Sequence, residues 1–91
     1  MTHGRIDDDL WFSDVLITII SSAINGGQCL AESRFVDGEF GQSESLSKIL
    51  KRYTDRRCLT VIVESGLHGE IYRYGNHGEH WEYVGDTIGY A

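Results

Sequence analysis

The chain contains no proline, so its turns fall to its eleven glycines and to the asparagines and aspartates beside them. Turn signals stand at Asn25-Gly26-Gly27, Asp37-Gly38, Gly66-Leu67-His68-Gly69 and Gly75-Asn76-His77-Gly78. They divide the 91 residues into short runs, each the length of one or two elements. A chain this long is expected to form one domain spanning 1–91.

The first long run poses the main decision. Asp14, Thr18, Ser21 and Asn25 step by four, three and four residues, which traces one polar helical face over 10–25. Phe12, Val15, Leu16, Ile19, Ile20, Ala23 and Ile24 fill the other side, and Asn25-Gly26-Gly27 would end the helix. The β-branched 17-ITII-20 favours a strand, with a hairpin turn at Asn25-Gly26 as the rival. The polar face decides for a helix over 10–25. Residues 28–36 alternate as a strand. Residues 43–55 predict a second helix, capped by Ser43, with Leu46, Ile49, Leu50 and Tyr53 as its buried stripe. Residues 59–84 predict a three-stranded antiparallel meander, and 72-YRYGNHGEHWEY-83 reads as a hairpin loop between two aromatic strands. The expected fold is α+β, in the order α-β-α-β-β-β, with a three- to four-stranded sheet and two helices on one face.

Charge bounds the function. The net charge of −6 and the pI near 5.0 disfavour direct nucleic-acid binding and suit a basic protein partner. Acidic residues sit at both ends, around a basic island of Lys48, Lys51, Arg52, Arg56 and Arg57. Those cations are expected near a helix C-terminus in any case. The longest apolar stretch, 15–24, is too short to span a bilayer, and the acidic start has no leader character. Two cysteines, Cys29 and Cys58, make no disulfide framework. The expectation is a cytoplasmic protein with reduced thiols and no membrane partner.

Signals for chemistry are weak. His77 and His80, with Glu79 beside them, are ligand types for zinc. His68 falls in the loop at the other end of the middle strand, about 20 Å away, so no metal or other cofactor is expected. A hydrolase or ribonuclease using His77 or His80 with Glu79 or Glu82 is the alternative. No nucleophile elbow and no phosphate loop are present, so no catalytic residue is assigned.

The C-terminal third carries more large amphipathic rings than one small core needs, with acids between them. Tyr72, Tyr74, Trp81, Glu82, Glu79 and Glu70 are therefore the expected partner-binding residues, with Asp7, Asp8 and Asp9 as a further acidic arm. In size and charge the chain is similar to bacterial immunity proteins and to phage-encoded inhibitors of host nucleases, which block basic sites with acidic surfaces. The likeness is one of composition. It implies a non-enzymatic inhibitor that masks a basic protein, in the manner of a nucleic-acid mimic. A homo-oligomeric accessory protein, joined through its open sheet face, is a further alternative.

Overall fold

The computed structural model describes residues 4–23, 29–53, 56–75 and 79–87, with side chains for all of these except 22, 23 and 56–58. Among these residues eight strands and one α-helix follow in chain order, with a short 3-10 turn at Gly38–Phe40 after the fourth strand: β1 (Gly4–Ile6), β2 (Trp11–Phe12), β3 (Val15–Ala23), β4 (Cys29–Val36), β5 (Glu44–Ser45), α1 (Leu46–Arg52), β6 (Arg56–Ser65), β7 (His68–Tyr74) and β8 (Trp81–Asp86). One six-stranded antiparallel sheet runs β1-β8-β7-β6-β3-β4, and β2 and β5 form a separate two-stranded ribbon. No helix among the described residues is long and apolar enough to cross a membrane.

This architecture overturns the α+β expectation. The segment read as a helix over 10–25 is β2, a turn and β3. Asp14 makes that turn with a left-handed backbone (φ 59°), donates its N–H to Val36 and accepts the N–H of Gly38. Within β3 the burial alternates: Ile17, Ile19 and Ser21 point into the core, while Leu16 and Ile20 are exposed. Apolar residues on both faces hide the period of two, and the stepped polar residues are split between faces. Thr18 bonds Ser33 across the sheet on one side, and Ser21 is buried on the other. The β-branched run therefore follows its strand preference, because β4 and β6 complete its ladder on both sides. The rival hairpin is what forms, although its expected turn at Asn25-Gly26 lies outside the described residues.

The second expected helix is shortened to 46–52. Ser45, not Ser43, is its cap: Ser45 has extended backbone and its hydroxyl accepts the N–H of Lys48 at 3.1 Å. Asp9 accepts the N–H of Ser47 at 3.0 Å, and Leu46 donates to the carbonyl of Leu10. Three N–H groups at the helix start are thus satisfied by two separate segments. Leu46 and Ile49 are fully buried and Leu50 and Tyr53 pack beside them, so α1 seals one face of the sheet.

The three last strands run as an antiparallel meander, with Val61 opposite Tyr72 and Tyr72 opposite Tyr83. The core lies between this face and α1: Ile17, Ile19, Leu59, Val61, Val63, Tyr72, Trp81, Leu46 and Ile49. The other face of the sheet has no covering layer among the described residues.

Candidate functional site

Four chain segments meet at one end of the six-stranded sheet: the turn into β3, the exit of β4, the β6–β7 turn and the end of β8. The ladder fixes the meeting, with Val15 opposite Val36, Leu16 opposite Glu64, Glu64 opposite Gly69 and Glu70 opposite Asp86. This end collects Asp14, Asp37, Glu39, Glu64, Glu70 and Asp86. Segments 13–14, 37–41, 64–70 and 86–87 contain no lysine or arginine. Two carboxylates hold the loops, Asp14 through Gly38 and Asp37 through Glu39, each at 2.9 Å. Among these acids two apolar side chains stand in solvent: Leu67 is 90% exposed and Phe40 is 78% exposed. Both sit at loop tips. Leu67 follows Gly66, whose φ of 62° makes the β6–β7 turn, and Phe40 precedes Gly41 at φ 73°.

His68, Glu70 and Asp86 form the tightest group at this end, with ligand atoms within 4.8 Å of one another. One imidazole and two carboxylates are a donor set suited to a divalent cation. Glu70 and Asp86 are directly opposed across β7 and β8, an arrangement that like charges disfavour. Two phenols moderate it. Tyr72 donates to Glu70 at 3.1 Å, and Tyr83 donates to Asp86. Burial, reinforced by Glu70, pushes the Tyr72 phenol well above its ordinary value. The hydrogen bond to Asp86 pushes Tyr83 up to about 12. Both folded-state values lie above that of an unfolded tyrosine, about 10. The stability these protons contribute is complete below about pH 10 and is lost as pH climbs through the folded values. Thermal unfolding followed from about pH 9 to about 12 is expected to show a midpoint that falls beyond about pH 10, and falls less in Tyr83→Phe.

The residues expected to bind a partner do not share one surface. Tyr72 and Trp81 are core residues, 4% and 7% exposed. Tyr72 lies against Phe12 and Tyr83, and Trp81 against Tyr74 at 5.1 Å between ring centroids. Tyr74 is half-buried. Glu82 sits on the uncovered face, opposite both Arg5 and Arg73. Glu79 is exposed beside β8 at the far end of the sheet, near half-buried His80. Asp7 is exposed and pairs with Arg5 at 3.0 Å, Asp8 is exposed, and Asp9 serves the start of α1. Glu70 alone of that set belongs to the acidic end. His77, the other histidine of the expected loop, lies outside the described residues.

A second polar feature lies on the α1 side. Glu44, whose side chain is 8% exposed, accepts from Arg34 and, with both carboxylate oxygens, from Arg52. These residues line an open groove of about 470 Å³ with Lys48, Phe35, Val36 and the 41–43 loop. The basic island read from sequence thus contributes Lys48 and Arg52 here, beside an arginine from β4. Sequence reading missed Arg34 and Glu44 as partners, because they lie ten residues apart on two strands, β4 and β5, that do not pair with each other. It missed Phe40 and Leu67 because exposure at a loop tip leaves no periodic signal.

Comparison with protein families, characterised proteins and solved structures finds no match to this chain.

Proposed function

We propose that this chain is a non-enzymatic, cytoplasmic binding protein that masks a basic surface of another protein with the acidic end of its sheet. The observation that carries this reading is the concentration of Asp14, Asp37, Glu39, Glu64, Glu70 and Asp86 around two exposed apolar tips, Phe40 and Leu67. Carboxylates of one sign on a rigid sheet end attract and orient a basic partner over roughly a Debye length. Apolar anchors within such a patch give affinity once water is excluded. The net charge of −6 extends the same field over the molecule and opposes binding to nucleic acid itself. This reading moves the contact surface from the aromatic strands to the loops at one sheet end.

Affinity capture with the purified chain from its native host tests it through variants. The wild type is expected to retain one stoichiometric partner of basic pI. The Phe40→Ala/Leu67→Ala variant should lose about 2 kcal/mol or more of affinity, roughly thirtyfold, while keeping its fold. Glu64→Lys should mainly slow association, with an effect that shrinks as salt rises. Trp11→Ala, which removes an exposed ring from β2, should bind like wild type. An acidic partner, or one retained equally by the Phe40/Leu67 variant, would refute the assignment.

A further inference from the structure

The six-stranded sheet ends in β4, a strand of eight residues, whereas its other edge, β1, has three. A long regular edge presents backbone N–H and C=O groups that a further strand can complete. β4 is also thinly covered. Of its eight residues only Val36 is buried, and Leu30 and Phe35 are large apolar side chains in solvent.

We infer that the chain forms a two-fold homodimer by antiparallel pairing of β4 with β4 of a second copy, with Ser33 opposite Ser33. A two-fold axis perpendicular to the sheet keeps each row of side chains on its own face. It therefore allows only registers in which one residue opposes itself. With Ser33 on the axis, Glu32 of each copy lies opposite Arg34 of the other. Leu30 lies opposite Val36, and Ala31 opposite Phe35. Shifting the axis to Glu32 or to Arg34 sets like charges directly opposite each other, which is destabilising. An axis at Ala31 or Phe35 pairs fewer residues of the strand and sets no opposite charge across from Glu32 or Arg34, so the charges flanking Ser33 favour the register centred there. Arg34 is already held by Glu44 and stands 4.0 Å from Glu32 of its own strand, so it needs little further ordering to meet a second carboxylate.

The pairing does not rest on the basic-partner reading. It sets Asp37 beside Cys29 of the second copy but leaves Glu64, Leu67, Glu70 and Asp86 uncovered, and antiparallel symmetry sends the two acidic ends to opposite sides of one continuous sheet.

Sedimentation over a concentration series, with disulfide trapping, tests it. Wild type should pass from monomer to dimer as concentration rises. Glu32→Arg, which opposes arginine to arginine twice, should weaken the dimer about tenfold or more. Under mild oxidation by copper phenanthroline, Ser33→Cys should link the two copies at position 33, identified by mass spectrometry. An on-axis pair has the Cα separation a disulfide needs. Ala31→Cys and Phe35→Cys should not link to themselves, but the Ala31→Cys/Phe35→Cys double variant should link 31 to 35 between copies. Circular dichroism checks that each variant is folded. A wild-type chain that stays monomeric up to about millimolar concentration, well above the dissociation constant of a specific dimer, would overturn the inference. Equal self-linking at 31, 33 and 35 would overturn the register.

Discussion

Replacing Trp81 by alanine is expected to cost about 3–5 kcal/mol of folding stability. Trp81 is 7% exposed, opposes Ile6 of β1 and Tyr74 of β7, and packs its ring on Tyr74. Truncation removes the largest side chain at this end of the core and leaves a cavity that two half-buried neighbours cannot close. A domain of this size has on the order of 5–10 kcal/mol in total, so the variant stands near the edge of folding. Its thermal midpoint should fall by about 15 °C or more. Urea titration should show a lower midpoint with an unchanged slope. Leu67→Ala, at an exposed tip, should stay within about 0.5 kcal/mol of wild type. The contrast separates a ring that builds the core from a side chain available to a partner.

Glu44→Ala is expected to cost about 2–3 kcal/mol. The Glu44 carboxylate is nearly enclosed and receives Arg34 on one side and the fork of Arg52 on the other. Without it, two guanidiniums face each other across the groove, and Arg34 keeps only the more distant Glu32, 4.0 Å away, as counter-charge. Breaking a fully buried pair costs about 3–5 kcal/mol, and the figure is lowered here because both arginines are about one third exposed. Glu44→Gln keeps the shape and two acceptor lone pairs, so it should cost less than Glu44→Ala. A double-mutant cycle with Arg52→Ala should return a coupling of about 1 kcal/mol or more, measured by urea unfolding.

The sequence made some of this legible and hid the rest for identifiable reasons. The stripe Leu46, Ile49, Leu50 and Tyr53 is real, because α1 has solvent on one side and core on the other and must alternate with the helical period. The alternation of Leu59, Val61 and Val63 is legible for the same reason in a strand. β3 was not legible. Its outer row, Leu16, Thr18 and Ile20, is nearly as apolar as its inner row, although no layer among the described residues covers that face, and the spacing of its polar residues imitated a helix. Ser43 and Glu44 look like a cap and a first-turn acid, and only the pairing of β5 with β2 makes Glu44 a buried strand residue. The acidic end could not be read because its carboxylates come from four segments as distant as Asp14 and Asp86. The crossover that returns β6 to the free side of β3 creates the neighbourhood. The aromatic excess of the last strands was visible, but Tyr72 and Trp81 use it to fill the core of a larger sheet than expected.

The most direct measurement of the central claim is the pattern of backbone amide shifts when the captured basic partner is titrated into isotope-labelled chain. The account predicts that Asp14, residues 37–41, Glu64, Leu67, His68, Glu70, Asp86 and Thr87 move together, with midpoints that shift to higher partner concentration as salt is added. Shifts confined to Leu16, Ile20 and Phe35 on the uncovered face, insensitive to salt, would contradict it.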